Sequence, residues 1–435
     1  MSLTTQATNK VRHIPRYVAH TLRTPLLRNG HLLTLSSGLT GAIGLAYWAV
    51  TALRYDPASV GRNSAAISMM MLLAGIAQLD LSTAMVRFVP GAGAGTRRMV
   101  AYTYLTAGGL GVLISTGFVV LAPLVSPGVT YFDGPLAGAA FVVATTAYTL
   151  FVIQDGVLTG LRRTAWVPVE NAAFSAVKVG LVVLLATAMP EHGIFVSWLV
   201  PVLAAVVIVG GLLFGRAIPR HQRIEPSGDE DRPAARDIAR FVMTGYAGAV
   251  CSMASMTLMP ILVIEVLGVE ANAGFAVAWV IAYSLHLVNI NMGSSLVVET
   301  AGDRSGLARC CRQVISHIGR LLAPAVLVVV VIAPYLLGLL GPAYAAASGA
   351  LRLLSLGALP HLVVVIAVNA ARVQRRMSLV FLVQAAECVL ALGLGWLLLP
   401  RMGLTGVGLA WLLTQCATAG FLVLRRDLWL PEEER

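Results

Sequence analysis

The feature that most constrains this chain is a series of twelve apolar stretches, each long enough to cross a membrane as a helix. A bilayer's hydrocarbon core is about 30 Å thick and takes roughly 20 helical residues to cross. The apolar character runs along all 435 residues, with 57% hydrophobic and 12% charged residues and a mean hydropathy of +0.81. This excludes a soluble enzyme with a single anchor, and we predict an all-α integral membrane protein. The predicted spans are residues 31–53, 63–86, 100–124, 136–160, 166–189, 194–215, 238–267, 271–298, 314–341, 348–371, 377–400 and 402–424.

The net charge of +11 is read by position, because arginines in short loops set the orientation of a membrane protein. Counted over alternate segments, 25 basic residues fall on the side of the N-terminus and three on the other side. This asymmetry predicts a multi-pass membrane protein with both termini in the cytoplasm. It gives no reason to expect a nucleic-acid partner.

The predicted spans divide into two sets of six. The longest interior break, residues 216–237, is rich in proline and charge and is interpreted as a cytoplasmic linker. It separates an N-terminal bundle, residues 31–215, from a C-terminal bundle, residues 238–424. Residues 1–30 form a basic interfacial segment and residues 425–435 a cytoplasmic tail. Two six-helix halves around a shared cavity are an arrangement typical of secondary transporters.

Prolines mark places where these spans can bend or break. The seventh and ninth spans are long, and Pro260, Pro324 and Pro334 are the candidate breaks within them.

Enzyme chemistry is not indicated. No glycine-rich stretch ends in Lys-Ser or Lys-Thr, so a nucleotide phosphate loop is not predicted. The loops opposite the arginine-rich side are short, such as residues 54–62 and 190–193, and leave little room for a glycosyltransferase or polymerase site. The five cysteines form no CxxC pair or Cys/His cluster, so no metal or other cofactor is expected.

Acidic residues inside the predicted spans are candidates for ion coupling, because an ionisable group in hydrocarbon is costly unless paired or hydrated. Asp80, Asp155 and Glu170 are predicted to form an acidic layer near the arginine-rich side, where they could bind a proton or a sodium ion. The alternative is that Asp80 or Asp155 forms a structural ion pair with Arg87 or Lys178.

Two basic residues inside spans are candidates for an anionic cargo. Lys178 lies two helical turns beyond Glu170, near mid-membrane, where Coulomb attraction is strong because water is scarce. Arg352 lies near the outer end of the tenth span, and the alternative is that its side chain simply reaches the membrane surface. In the second half, further polar candidates are His286 and Asn289 for the cavity, His361 and Gln384 as interior polar groups, and Glu387 as a coupling or buried charge.

A family resemblance is carried by two stretches, one near each end of the chain. His31–Pro90 resembles the first two helices of bacterial polysaccharide flippases, with Asp56–Gly61 matching the short Pro-containing connection between them. Ala84–Pro90 matches the exit of the second helix, and Gly403–Trp411 the turn into the last one. These flippases belong to the multidrug/oligosaccharidyl-lipid/polysaccharide exporter (MOP) superfamily.

The resemblance implies two six-helix bundles forming a V around a central cationic cavity. A lipid-diphosphate-linked oligosaccharide headgroup would cross there, while its tail stays in lipid. The acid at Asp80 departs from the uncharged run that is common in this family. The two extra helices of peptidoglycan-precursor flippases are missing, which counts against that branch.

With this resemblance, the sequence predicts a flippase of the bacterial plasma membrane that moves a polyprenyl-diphosphate-linked oligosaccharide from the inner to the outer leaflet for surface polysaccharide synthesis. Lys178, Arg352, His286 and Asn289 would contact the substrate, and Asp80, Asp155, Glu170 and Glu387 would be coupling or buried charges. Partners would be the lipid-linked substrate, membrane lipids, a coupling proton or sodium ion, and polysaccharide assembly enzymes. The alternatives are a multidrug or other small-molecule secondary transporter and, less favoured, a membrane glycosyltransferase or polymerase.

Overall fold

A computed structural model describes residues 41–125, 134–163, 166–224, 235–300 and 306–430, and these form helices joined by short turns. Eleven helical segments of this part are long and apolar enough to cross a membrane. Residues 41–54 form one more helix, α1, which is the described part of the first predicted span. The predicted all-α membrane architecture is confirmed. The predicted interfacial segment 1–30, linker residues 225–234 and the end of the tail lie outside the described residues.

The first half contains five further long helices and two short ones. A single π-helical turn, Leu213–Ala217, joins α7 to α8 without a break. Helical structure therefore continues through residues 216–224, which the sequence assigns to the linker. The helices are α2 Pro57–Ala77, α3 Leu81–Phe88, α4 Thr96–Val125, α5 Pro135–Gly160, α6 Trp166–Ala188, α7 Gly193–Leu212 and α8 Ile218–Ile224.

The second half begins at Ala235, within the predicted linker, and its seventh and tenth spans are broken. The seventh span breaks just before Pro260, as that proline predicts, and the tenth breaks at Gly357. The ninth runs unbroken through Pro324 and Pro334. The helices are α9 Ala235–Thr257, α10 Met259–Leu267, α11 Val269–Thr300, α12 Leu307–Gly338, α13 Pro342–Ala345, α14 Ser348–Leu356, α15 Ala358–Val373, α16 Met377–Met402 and α17 Leu404–Leu424.

The two halves have the same turn structures at equivalent positions. The fourth span of each half starts after a glycine in the left-handed φ region followed by proline, at Gly134 (φ 93°) and Gly341 (φ 116°). Each fourth span also ends in an arginine with positive φ, at Arg162 (57°) and Arg375 (59°). These shared turns indicate that the halves are structural repeats.

The halves meet along α2. Near the start of α2, the Asn272 amide of α11 donates to the Gly61 carbonyl (2.8 Å) and lies 2.9 Å from Ser64 Oγ. Near its other end, the Tyr246 hydroxyl of α9 donates to the Ile76 carbonyl at 2.8 Å. The backbones come so close that a Cβ at Gly61 would overlap the carbonyl oxygen of Val269. The largest hydrophobic core of the described residues accordingly contains side chains of both halves.

Candidate functional site

Two acidic side chains lie together inside the first half, Asp155 on α5 and Glu170 on α6. Asn171, the residue that follows Glu170, contacts Asp155, so the two acids lie at the same level of neighbouring helices. Asn171 Nδ2 lies 3.4 Å from Asp155 Oδ2, at the long limit of a hydrogen bond, and donates to the Val167 carbonyl at 3.0 Å.

The carboxylates of this acidic pair are poorly satisfied. Both oxygens of Glu170, which is 8% exposed, and Oδ1 of Asp155 are buried with no hydrogen-bond partner among the described residues. Unpaired carboxylates are costly to bury, so the arrangement favours binding of a proton or a cation.

The Lys178 side chain is enclosed by an aromatic cage formed by Tyr47, Phe174 and Trp198. Lys178 Nζ lies 3.9 Å from the ring centroid of Trp198, 4.8 Å from that of Tyr47 and 5.0 Å from that of Phe174. A cation above aromatic faces is attracted by the ring quadrupoles, more strongly where water is excluded. Lys178 is 7% exposed, so the cage rather than solvent surrounds its ammonium.

The cage is held in place by hydrogen bonds between α1 and α7. The Tyr47 hydroxyl lies 2.9 Å from Ser197 Oγ and 3.2 Å from the Ile194 carbonyl. Trp198 follows Ser197 directly on α7, and Phe174 packs edge-on against its ring with centroids 5.7 Å apart. Three helices therefore fix the position of one ammonium.

The acidic pair and the aromatic cage are separate. Glu170 and Lys178 are eight residues apart on α6, a rise of about 12 Å. Phe151 and Phe174 pack against each other between these levels, with centroids 5.3 Å apart. The alternative of an Asp155–Lys178 ion pair is wrong, because no acidic side chain of the described residues pairs with Lys178.

Asp80 lies where the two halves meet, since a Cβ at Gly245 of α9 would be 4.0 Å from its Oδ2. It has φ 56° in the turn between α2 and α3, and its Oδ1 accepts a hydrogen bond of 2.6 Å from the Thr83 hydroxyl. Asp80 therefore lies at the contact between the halves. Ser82, two residues further on, donates to the Val152 carbonyl of α5 at 3.0 Å, so this segment also packs beside the helix that carries Asp155. Membership of Asp80 in the acidic layer stays a prediction.

In the second half, His286 of α11 and His361 of α15 form a buried pair. Their Nδ1 atoms lie 3.0 Å apart, and His286 Nε2 lies 3.3 Å from the Leu354 carbonyl. Asn289 donates to the Ala358 carbonyl at 2.8 Å and approaches His361 Nδ1 at 3.4 Å. The structure thus brings three predicted polar residues together, at the break between α14 and α15.

Two other predicted residues of the second half lie elsewhere. Glu387 lies beside Gln415 of α17, with one carboxylate oxygen buried and without a partner among the described residues. Gln384 lies against Gly248 of α9. Neither contacts the histidine pair.

Arg352 has a structural contact. Its exposed side chain donates from Nε to the Val330 carbonyl of α12 at 3.0 Å. Pro334 has no N–H to offer the carbonyl four residues before it, which is that of Val330. Arg352 therefore supplies the hydrogen bond that the proline removes.

The residues that sequence reasoning missed are mostly aromatic. Phe174 precedes Lys178 by one helical turn and could have been found from spacing. Tyr47 and Trp198 come from other helices, and no sequence signal points to them. The same holds for Trp411, whose ring packs edge-on against His286 with centroids 5.8 Å apart.

No protein-family model matches this chain, and no curated protein matches its sequence. Solved structures match almost the whole chain. An inward-facing multidrug resistance MATE family transporter of the MOP superfamily is similar with a TM-score of 0.71 and 14% identity, over 91% of this chain and 98% of its own. A MATE structure in complex with MaL6 has a TM-score of 0.68 and 15% identity, over 93% and 96%.

A third similar structure is a MOP superfamily transporter from Pyrococcus furiosus, described as having a binding pocket of reversed polarity that suggests a different function. Its TM-score is 0.66 at 15% identity, over 93% of this chain and 95% of its own. The fold is thus that of the MATE transporters of the MOP superfamily, with two six-helix halves. The superfamily inferred by resemblance agrees with these structures at the level of fold. Its polysaccharide flippase branch stays a prediction.

Proposed function

We propose that this protein is a secondary transporter that exports organic small molecules by alternating access. The fold supports this, since its solved neighbours are transporters and include one inward-facing and one outward-facing structure. The proposal replaces the flippase as the first choice, because these neighbours are described as multidrug resistance transporters.

The observation that carries the proposal is the acidic pair Asp155 and Glu170. A cation bound between these carboxylates would offset the free-energy cost of burying them, and release of the cation would restore that cost. Energy stored in a proton or sodium gradient could thereby drive a change between two arrangements of the first half. Asp155 and Glu170 lie on α5 and α6. The first predicted span, residues 31–53, contains no Asp or Glu that could bind the cation instead.

The aromatic cage indicates a substrate class. Rings of Tyr47, Phe174 and Trp198 offer flat apolar surfaces, and Lys178 already fills the cationic position between them. A substrate that binds against this cage would be an amphipathic organic molecule that is neutral or anionic, because a second cation would be repelled at short range.

The test is transport by the purified protein in liposomes, with fluorescein as an anionic probe and ethidium as a cationic one. We expect movement of fluorescein driven by a proton or sodium gradient. Asp155→Asn and Glu170→Gln should each abolish gradient-driven transport while the protein still folds. Glu191→Gln, at an exposed glutamate beyond α6, is the matched control and should leave it unchanged. Normal gradient-driven transport by Glu170→Gln would overturn the coupling role.

A second candidate is the flippase for a polyprenyl-diphosphate-linked oligosaccharide. The resemblance of Asp56–Gly61 and Ala84–Pro90 to polysaccharide flippases favours it, together with the reversed pocket polarity described for the Pyrococcus furiosus neighbour. Its assembly enzymes and lipid-linked substrate would then be the partners. Loss of the gene should cause lipid-linked oligosaccharide to accumulate on the cytoplasmic side, and unchanged amounts would reject this candidate.

A further inference from the structure

The second half has a groove at its arginine-rich end, between the turn after α15 and the end of α17, which the chain fills itself. After Leu424 the chain leaves the helix and places Trp429, 3% exposed, into a core with residues of α15 and α17. Trp429 Nε1 donates to the Leu422 carbonyl at 2.8 Å. We call the segment 425–430 the C-terminal plug.

Polar groups on the turn after α15 bind the backbone oxygens of the plug. Arg376 Nη1 donates to the Leu428 carbonyl and Gln374 Nε2 donates to the Trp429 carbonyl at 2.6 Å. The occupant of this groove thus combines an apolar group, which enters the core, with oxygen atoms that face an arginine.

The first half has the equivalent groove, and no described segment fills it. The turn after α5 has the same form as the turn after α15. Arg162 N–H bonds to the Thr159 carbonyl and Arg163 N–H to the Leu158 carbonyl, as Arg375 does to Arg372 and Arg376 to Ala371. Arg163 is therefore the counterpart of Arg376.

The first-half groove encloses a cavity of about 200 Å³. Its apolar wall includes Leu158, Val209 and Leu212, and three arginines line it: Arg163, Arg216 and Arg220. Arg163 lies in the turn after α5, Arg216 in the π-helical turn and Arg220 on α8. No acidic side chain of the described residues forms an ion pair with any of the three.

The backbone around this cavity carries unusual features. Arg162 takes the left-handed conformation in which glycine is normal, at a cost of about 1 kcal/mol. The π-helical turn Leu213–Ala217 contributes Leu213, Arg216 and Ala217 to the lining, and such turns occur frequently at functional sites. Exposed Trp166 at the rim is typical of a residue at the membrane interface.

We propose that this groove binds the headgroup of a phosphate-bearing membrane lipid from the leaflet on the arginine-rich side. The phosphate oxygens take the position that the plug's carbonyls take in the second half, and the start of an acyl chain lies on the apolar wall, as Trp429 does there. Arginine suits this role because its planar guanidinium binds phosphate through two parallel hydrogen bonds. The inference concerns lipid binding and does not depend on transport.

The test uses the full-length protein, purified in dodecyl maltoside and delipidated, with phosphatidylglycerol as the probe. Native mass spectrometry measures binding, and thermal unfolding measures stabilisation. We expect one tightly bound phosphatidylglycerol, with affinity falling at least about tenfold in Arg163→Gln/Arg216→Gln/Arg220→Gln, which corresponds to about 1.4 kcal/mol.

The matched control changes the same number of charges on the same predicted side, as Arg97→Gln/Arg98→Gln/Arg309→Gln. This control should bind phosphatidylglycerol like the parent protein. Ala217→Phe, which fills the apolar part and keeps the charge, should also weaken lipid binding. Unfolding temperature and gel filtration confirm that each variant is folded.

Two results would overturn the proposal. Equal loss of affinity in both triple variants would mean that lipid senses only the total positive charge. Stabilisation by inorganic phosphate equal to that by phosphatidylglycerol, at the same concentration, would mean that the groove binds a free anion and not a lipid.

Discussion

His286 Nδ1 and His361 Nδ1 lie 3.0 Å apart in the buried interior of the second half. A hydrogen bond between two imidazole nitrogens needs a proton on one and a lone pair on the other. His286 Nε2 faces the Leu354 carbonyl, which can only accept, so that nitrogen carries a proton. With both rings neutral, His286 Nδ1 then accepts and His361 Nδ1 donates to it. Asn289 Nδ2, 3.4 Å from His361 Nδ1, then donates to the Ala358 carbonyl and not to this ring.

This relationship predicts opposite tautomers for the two rings. Nitrogen-15 NMR of histidine-labelled protein should show His286 protonated at Nε2 and His361 protonated at Nδ1. The variants His286→Gln and His361→Gln assign the signals. Two rings protonated at the same nitrogen would contradict the assignment.

Arg352 and Pro334 should be coupled energetically. Arg352→Leu leaves the Val330 carbonyl without its donor and should cost about 1 kcal/mol of stability. In a Pro334→Ala background the same change should cost less, because the alanine restores the N–H that bonds four residues back. Thermal unfolding of the four proteins of this double-mutant cycle measures the coupling. Equal costs in both backgrounds would show that the Val330 carbonyl does not depend on Arg352.

The contact at Gly61 should not tolerate a side chain. Gly61→Ala puts a Cβ against the Val269 carbonyl and should destabilise the folded protein by about 1–3 kcal/mol, as overpacking does. Gly180→Ala is the control, since nothing lies within 4 Å of the position of its Cβ. The measurement is the unfolding temperature in detergent. An unshifted Gly61→Ala protein would mean that the halves adjust freely at this contact.

The aromatic cage should stabilise the folded protein through the charge of Lys178 as well as through packing. Trp198→Leu removes the ring nearest Lys178 Nζ, and part of its cost is the loss of a cation–π attraction of about 2 kcal/mol. That part should vanish in a Lys178→Met background, where the side chain keeps its bulk but has no charge. Unfolding of the single and double variants tests this, and additive effects would argue that the cage is only packing.

The spans could be predicted from the sequence because crossing a membrane needs a fixed number of apolar residues. Pro260 likewise predicts the break before α10. The break at Gly357 has the same origin, because Pro360 lies three residues after it and has no N–H to offer the Leu356 carbonyl.

The site was predicted residue by residue but not as an arrangement. Glu170 and Lys178 stand out because charges are rare in spans, and their spacing along one helix is readable. The surroundings of such residues cannot be read from the sequence. Two aromatic partners of Lys178 lie on α1 and α7, and His361 lies 75 positions from its partner His286. The turn at Asp80 was missed for a related reason, since two residues with positive φ, Leu79 and Asp80, interrupt the predicted second span.

The C-terminal plug has a practical consequence for handling this protein. A truncation after Leu424 would strip Trp429 from its place and uncover the apolar walls of α15 and α17 at the protein surface. The shortened chain would then have two open grooves related by the internal repeat. The exposed apolar surface of the second-half groove would bind detergent or another copy of the protein. Affinity tags are therefore best fused beyond Leu430, with the last turn left whole.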